Sequence, residues 1–392
     1  MCPLTLQTYL RYWFYNERWS CTSGKHEGEH DRGRPSGRGE QRGEETRVTQ
    51  SAERFGAKTL DGDGRPRYDV VVVGAGAAGL SAALVLGRSG RKVLVLDGGE
   101  PRNAPAEASH GFFTRDGVQP GEMLKIGREQ LGRYPNVEYR TGRATQASGA
   151  DGAFEVTLED GEVVSARKLV LATGVFDELP ERPGFRELWG KGVYHCPYCH
   201  GWEMRGRPLA VLASPGTAFD RVALIRNWSR DLALLTDGEG GLSGADRRRL
   251  DALSVPVYEE RISRLEGDPA RPGGGLERVV FEGGAALERE GVFHVPPQRQ
   301  RSGLAGSIGC ELAAPVPTVE FVKADPMTRE TTVAGVYAAG DAVRAPGQSV
   351  VLASASGAAA AYVLNHALAI QDAKDEVAAA PSAKGDLGRA AG

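Results

Sequence analysis

The stretch HCPYCHGWE, residues 195–203, holds the residue types best suited to chemistry in this chain of 392 residues. Cys196 and Cys199 are separated by two residues, and His195 and His200 flank them. Two cysteines at this spacing can form half of a zinc site, a structural disulfide, or a redox pair that cycles between dithiol and disulfide. The rest of the chain decides between these three interpretations.

The number of available ligands argues against a zinc site, and the number of cysteines argues against a structural disulfide. A structural zinc site needs four ligands, commonly two pairs, and Cys310 and His294, which lie outside the motif, form no second pair. The chain has five cysteines, too few for a disulfide scaffold. We therefore predict a redox pair and no metal, and we expect Cys310 to be a small buried hydrophobe.

Composition narrows the classes of partner and location. The net charge is −3, with 48 basic and 51 acidic residues, so neither nucleic acid nor an anionic membrane is an expected partner. The N-terminus lacks the basic start and apolar core of a secretory signal. The uncharged run 70–87 is interrupted by glycines, which indicate a strand followed by a helix rather than a membrane span. We expect a soluble, cytoplasmic protein.

The elements that must position the cysteine pair begin with a βαβ unit. The run YDVVVV (68–73) predicts a strand buried on both faces, GAGAAG follows, and LSAALVLGRSG is helical in composition. KVLVLD (92–97) predicts the next strand. Further strand-like runs, several with helical patterns between them, are found at 168–174, 209–214, 232–237 and 335–341. This alternation predicts an α/β fold with parallel sheets.

The glycine-rich turn has the spacing of a dinucleotide fingerprint. Gly74 permits the tight turn, Gly76 lets the backbone approach a pyrophosphate, and Gly79 lets helix and strand pack closely. The helix N-terminus then offers free N–H groups to the phosphates. Asp97 ends the second strand, where a carboxylate can hold a ribose hydroxyl. The set predicts a bound dinucleotide.

Two later segments carry a resemblance to a family. LATG (171–174) ends a strand at a small turn, and GVYAAGDAV (335–343) ends a strand in a Gly–Asp pair before a helical pattern. With the glycine motif, their order resembles that of the flavoproteins with two dinucleotide-binding domains, over residues 68 to about 370. The resemblance implies FAD as cofactor. It implies as cofactor-binding residues Gly74, Gly76, Gly79, Asp97, Thr173 and Asp341.

The position of the cysteine motif between these segments resembles that in the low-molecular-weight thioredoxin reductases. The resemblance implies that Cys199 lies near the flavin and that Cys196 exchanges with the substrate. These reductases usually carry an aspartate after the second cysteine, where this chain has His200. A histidine titrates near neutrality and suits a base that takes a proton from a dithiol. His195 is expected to cap the turn, and His110 in SHGFFTRDG to approach the flavin.

Those reductases have a second nucleotide site, and this chain keeps the strand pattern of that domain but lacks the residues that contact the phosphates. Where glycines of its motif should fall, the chain has Ala213 and Pro215, and proline has no N–H to give a phosphate. Asp237 stands where arginines would pair with the 2′-phosphate of NADPH. This departure favours the FAD-dependent dithiol oxidases that close disulfides in natural products such as gliotoxin and holomycin, with O2 as the electron acceptor.

Three other functions stay open at this point. One is an NADPH-dependent thioredoxin-disulfide reductase, the second a ferredoxin-fed reductase, and the third a flavin-binding protein without turnover. The substrate is a dithiol or disulfide, either a small molecule or a thioredoxin-like protein. A homodimer is implied by the resemblance alone.

The predicted fold is thus α/β, with two Rossmann-like dinucleotide-binding domains. The second is a degenerate NAD(P)-type domain that carries the cysteine pair and is inserted into the FAD domain. The predicted segments are a disordered tail at 1–66, the FAD domain at 67–177 and 291–372, the inserted domain at 178–290 and a flexible tail at 373–392.

Overall fold

The computed structural model describes residues 60–316, 319–345 and 347–380. Most of the predicted N-terminal tail and the last part of the C-terminal tail lie outside these residues. The strands in chain order are β1 (Arg67–Val73), β2 (Val93–Asp97), β3 (Val137–Thr141), β4 (Ala144–Ala150), β5 (Ala153–Leu158), β6 (Val163–Leu171), β7 (Val175–Asp177), β8 (Val193–Tyr194), β9 (Leu209–Leu212), β10 (Leu232–Leu235), β11 (Val257–Tyr258), β12 (Ile262–Gly267), β13 (Leu276–Phe281), β14 (Ala286–Glu288), β15 (Gly291–His294), β16 (Gln298–Gln300), β17 (Leu312–Val316), β18 (Val319–Val322) and β19 (Val336–Ala338). The helices are α1 (Ala77–Arg88), α2 (Pro120–Leu131), α3 (Pro197–His200), α4 (Pro215–Ile225), α5 (Gly244–Ala252), α6 (Leu304–Ser307) and α7 (Val350–Ala379), with a 3-10 turn at Gly340–Ala342.

The first sheet is built around the predicted βαβ unit. Its strand order is β3-β2-β1-β6-β5-β4, and β19 also pairs with β6. β1 pairs in parallel with both β2 and β6, so its run of valines is buried on both faces. The prediction of an α/β fold with parallel sheets is confirmed. The carboxyl ends of β1, β2 and β19 meet at one edge, which is where open α/β sheets bind ligands.

Two helices cover one face of this sheet and approach each other closely. A Cβ atom at Gly357 of α7 would lie 2.0 Å from the backbone oxygen of Ala78 in α1, so glycine is required there. The buried face of α7 consists mostly of small side chains, and Ala360, Ala361 and Leu364 lie at its centre. By length and composition alone α7 is apolar enough to cross a membrane; it packs on α1, and 28% of its most apolar 18-residue stretch is buried.

The second sheet has the order β11-β10-β9-β15-β8 and is parallel throughout. α4 connects β9 to β10, and α5 connects β10 to β11. The sheet therefore has the form of a second nucleotide-binding domain, as predicted for an inserted domain. β15 (Gly291–His294) belongs to this sheet, which thus extends past the predicted boundary at residue 290. α7 likewise runs to Ala379, into the predicted C-terminal tail.

Two smaller sheets complete the fold. β12, β13 and β14 form an antiparallel sheet, and β17, β18, β16 and β7 form a mixed one. β7 follows the last long strand of the first sheet, and β16 follows the last strand of the second. Their antiparallel pairing sets Asp177 opposite Gln298 at the passage between the two larger sheets.

Candidate active site

The two cysteines of the motif are joined by a disulfide in this structure. β8 delivers the chain to His195, and Cys196 is the N-cap of α3, a single turn that begins at Pro197. Proline suits this position because its fixed φ is helical and its missing N–H would have no partner there. The turn brings Cys199 back against Cys196, with the two Cα atoms 5.3 Å apart. The pair thus has the geometry that a redox couple needs.

One cavity, of about 1020 Å³, brings together distant parts of the sequence. Its wall includes both cysteines, from the second domain, and the glycine-rich turn, from the first. Of the predicted site residues, the wall contains Gly74, Gly76, Asp97, Thr173, Cys196, Cys199, His200 and Asp341. Gly79 is the exception, since it lies behind the wall. His110, expected to approach the flavin, and His195, expected to cap the turn, also line the cavity.

The glycine-rich turn fits a dinucleotide. Gly74 has φ +106°, and a Cβ there would lie 2.3 Å from the carbonyl oxygen of Ala172. A Cβ at Gly79 would lie 1.7 Å from the carbonyl oxygen of Gly74, so helix and turn touch at that point. A Cβ at Gly76 would meet no atom within 4 Å, because this backbone faces the open cavity. Gly76 is also the N-cap of α1, whose first N–H groups are available to a phosphate.

Asp97 lies at the end of β2, the position at which a carboxylate can bind a ribose hydroxyl. It ends β2 at the edge of the cavity and accepts a hydrogen bond from the N–H of Gly99 at 2.8 Å. The hydroxyl of Tyr139 donates to its second oxygen. These contacts fix the carboxylate at the carboxyl edge of the sheet, where the residues present fit the adenosine half of a dinucleotide.

Asp341 is held by an arginine that sequence reasoning missed. Arg102, in the loop after β2, donates to Asp177 through Nε and Nη2, both at 2.6 Å, and to Asp341 through Nη1 at 2.9 Å. The side chain of Asp177 is only 6% exposed, so the pair is shielded from water. No sequence signal could reveal this group, because its members are 75 and 239 positions apart.

His200 directly follows Cys199, and both of its ring nitrogens are buried. Its ring stacks on that of Tyr194, with the centroids 4.6 Å apart. Neither of its ring nitrogens has a hydrogen-bond partner within the described part of the chain. Burial lowers the pKa of His200 below the usual value for histidine, so the ring is neutral at pH 7 and can accept a proton. His110 also faces the cavity, with its two ring nitrogens each 3.5 Å from a carboxylate, that of Asp116 or Glu203.

The turn after β9, which is equivalent to a second nucleotide site, differs from the glycine-rich turn after β1. After β9 the chain passes Ala213 and Ser214, and α4 begins with Pro215, so the first turn of that helix has one N–H fewer to offer a phosphate. Asp237 follows β10, but Arg182 binds both of its oxygens, and the N–H of Ile262 donates to one of them at 2.8 Å. Both oxygens of the Asp237 carboxylate therefore already accept hydrogen bonds from other residues of this protein.

Comparisons with known proteins agree with this architecture. Residues 68–225 match the pyridine nucleotide-disulphide oxidoreductase family. Thioredoxin reductase aclD of Aspergillus oryzae is 34% identical over 70% of this chain and 88% of its own length. Thioredoxin reductase sirT of Leptosphaeria maculans is 33% identical over 76% of this chain and 93% of its own.

Solved structures give the same result. HlmI is 40% identical, with a TM-score of 0.72 over 82% of this chain and 98% of its own. An oxidoreductase from Agrobacterium tumefaciens is 36% identical, with a TM-score of 0.72 over 78% of this chain and 99% of its own. The similarity thus covers about four fifths of this chain and nearly the whole of each of these solved structures.

Proposed function

The chain belongs to the pyridine nucleotide-disulphide oxidoreductase family, as a thioredoxin reductase-like member, and on this premise we propose that it oxidises a dithiol to a disulfide through Cys196 and Cys199, with FAD as cofactor and O2 as acceptor. One observation carries the proposal. The disulfide and the glycine-rich turn line the same cavity, so a dinucleotide cofactor held at the turn shares a space with the two sulfurs.

The residues that would hold FAD are those at the carboxyl edge of the first sheet. The turn at Gly74 and Gly76 would take the pyrophosphate, Asp97 a ribose hydroxyl, and Thr173 and Asp341 the part beyond the pyrophosphate. When bound, FAD accepts the two electrons of a dithiol and passes them to an acceptor.

The cysteines carry out the exchange with the substrate. A substrate thiolate attacks the sulfur of Cys196, the Cys196–Cys199 bond breaks, and Cys199 leaves as a thiolate. The second substrate thiol then displaces Cys196, which releases the oxidised product and leaves both protein cysteines reduced. Each round moves two electrons and releases two protons, and reduction of O2 to hydrogen peroxide consumes the same numbers. His200, neutral and beside the pair, takes a proton in the exchange.

Two features support O2 over a nicotinamide as the redox partner. Pro215 removes a phosphate-binding N–H at the start of α4. Asp237, which stands where arginines would pair with the 2′-phosphate of NADPH, offers that phosphate no positive charge, and its two oxygens already accept from Arg182 and Ile262. In this proposal the second sheet positions the cysteine pair and does not bind a nucleotide.

Oxygen consumption separates this function from a reductase. With FAD-loaded protein and dithiothreitol, we expect O2 uptake with one hydrogen peroxide formed per O2, unchanged by NADPH or NADH. In anaerobic titration, dithiothreitol should bleach the flavin absorbance and NADPH should not. Bleaching by stoichiometric NADPH would refute the oxidase and establish the reductase.

His200 sets the acidic limit of the reaction in this proposal. The pKa of His200 lies below the usual 6.5, so its ring is unprotonated at neutral pH. The rate of dithiol oxidation should therefore stay constant as the pH is lowered, until the pH falls below the pKa of His200. His200→Gln should lower the rate of dithiol oxidation by about 100-fold at pH 7 and remove that acidic limb. The check is a pH profile of O2 uptake.

Tyr194→Phe is the matched control for this prediction, because it keeps the ring that stacks on His200 and removes only the hydroxyl. Its pH profile should match that of the wild type. An unchanged profile in His200→Gln would assign the base to another residue.

A reductase is the second candidate, and the names of the relatives favour it. Those from Aspergillus oryzae and Leptosphaeria maculans are both named thioredoxin reductases. In that case a thioredoxin-like protein would be the partner of Cys196. The same anaerobic titration decides between the two.

A further inference from the structure

Arg102 connects three elements at the wall of the cavity. It lies in the loop after β2 and donates to Asp177, at the end of β7, through Nε and Nη2, both at 2.6 Å. Through Nη1 it donates to Asp341 in the 3-10 turn and to Gln348 just before α7, both at 2.9 Å. The planar guanidinium has its donors in fixed directions, so these contacts set the positions of the two carboxylates relative to each other.

Asp177 and two amides hold the arginine in place. Asp177 Oδ1 accepts from Arg102 and, at 3.0 Å, from Gln298 Nε2, and its Oδ2 accepts from Arg102. Gln298 and Gln348 exchange two amide hydrogen bonds, each of 2.9 Å. The side chain of Asp177 is almost fully buried, so water competes little for these bonds. Asp177 therefore anchors Arg102, and both of its oxygens already have partners.

The same guanidinium balances the charge of both carboxylates. Within the part of the chain that the structure describes, neither Asp177 nor Asp341 forms an ion pair with any other residue. Burial acts to lower the pKa of Arg102, but the hydrogen bonds and charges of the two carboxylates outweigh it and raise this pKa, so the side chain stays charged. Loss of Arg102 would leave two carboxylates without a counter-charge at the cavity wall.

Asp341 differs from Asp177 in having one oxygen without a partner. Its Oδ2 accepts from Arg102, whereas no residue that the structure describes donates to its Oδ1. The side chain is 23% exposed and lines the cavity, so a ligand in the cavity can reach this carboxylate. An ionised carboxylate can only accept, and the ligand group that fits Oδ1 is therefore a donor such as a hydroxyl.

We propose that Arg102 is a positioning residue for the cofactor: anchored by Asp177, it fixes the carboxylate of Asp341 so that Oδ1 accepts a hydrogen bond from a hydroxyl group of the ribityl chain of FAD. This deepens the proposed function, on which it rests, because it assigns the part of FAD beyond the pyrophosphate to a carboxylate that is oriented in advance. A hydrogen bond to an ionised acceptor is roughly twice as strong as one between neutral groups. Gly76 and Asp97, which fit the adenosine half, are not among the partners of Arg102.

A double-mutant cycle tests whether Arg102 acts through Asp341. The FAD affinity of the full-length apoprotein is measured by isothermal titration for Arg102→Met, Asp341→Ala and the double variant. Asp341→Ala should weaken FAD binding by about 30-fold, since a hydrogen bond to a charged group is lost, and Arg102→Met by about tenfold. The double variant should bind FAD within about threefold of Asp341→Ala, because the arginine then has no carboxylate of Asp341 to position.

ADP separates a positioning role from a purely structural one. ADP carries the adenosine and the pyrophosphate but lacks the ribityl chain, so Arg102→Met should bind ADP as tightly as the wild type does. Arg102→Lys covers the case in which Arg102→Met does not fold, because it keeps the positive charge beside Asp177. Its single ammonium cannot reproduce the fork that holds two carboxylates, so its FAD affinity should also fall, by about fivefold, while its ADP affinity stays unchanged.

Arg182→Met is the matched control for the loss of a bidentate ion pair. Arg182 binds both oxygens of Asp237 and is buried to a similar extent as Arg102. Neither Arg182 nor Asp237 is part of the cavity wall. Its FAD affinity should therefore equal that of the wild type.

Three results would overturn the proposal. They are wild-type FAD affinity in Arg102→Met or Arg102→Lys, losses that multiply to about 300-fold in the double variant, and an equal loss of ADP and FAD affinity in Arg102→Met. All of these measurements are made without a dithiol. If the affinities change as expected but dithiols drive no O2 uptake, the positioning role stands and only the oxidase function fails. A wild-type protein that binds no FAD would refute both.

Discussion

Cys199→Ser should keep bound FAD and lose its reduction by dithiols, by at least about 1000-fold. Serine keeps the size of the side chain, but its hydroxyl neither forms a disulfide nor leaves as a stable anion near neutral pH. The cavity wall is otherwise unchanged, and the residues that fit the cofactor lie on the first sheet. The measurement is anaerobic stopped-flow bleaching of the flavin by dithiothreitol, with FAD content determined from the visible spectrum.

Cys310→Ala is the matched control for the loss of a thiol. Cys310 is 6% exposed and lies in the core behind the first sheet, away from the cavity lining. Its removal should cost stability, about 1 kcal/mol for a small cavity, and leave the bleaching rate intact. If Cys199→Ser bleached at the wild-type rate, the cysteine pair would not be the route between dithiol and flavin.

Gly76→Val should weaken FAD binding by at least about 100-fold, or about 2.7 kcal/mol, while the protein remains folded. The added Cβ meets no protein atom within 4 Å and projects from backbone that faces the cavity, where a pyrophosphate would approach. The residue has φ −72° and ψ −174°, an extended conformation that a β-branched side chain adopts without strain. Isothermal titration of the apoprotein with FAD gives the affinity, and far-UV circular dichroism verifies the fold.

Gly216→Val provides the comparison for this substitution. Gly216 lies in the first turn of α4 on the second sheet, and a Cβ there also meets nothing within 4 Å. Its FAD affinity should equal that of the wild type, because the proposal assigns no nucleotide to that helix. Wild-type affinity in Gly76→Val would show that the glycine-rich turn is not where the cofactor binds.

Much of the fold could be predicted from the sequence because its signals are local. Runs of β-branched residues, glycines at fixed intervals and a helical composition between them identify the βαβ unit within thirty residues of chain. Boundaries were harder to predict. The chain returns from the second sheet after β15 rather than before it, because Gly291–His294 completes that sheet by pairing with β9.

By itself, the sequence determined the backbone motifs, namely a phosphate-binding turn and a cysteine pair two residues apart, because each depends on a few neighbouring residues. Only the tertiary structure decided that both motifs open into one cavity. It also decided that Arg182 pairs with Asp237 and that Arg102 binds both Asp177 and Asp341. Such side-chain contacts join residues 55 to 239 positions apart, and they depend on the path of the whole chain rather than on any local spacing.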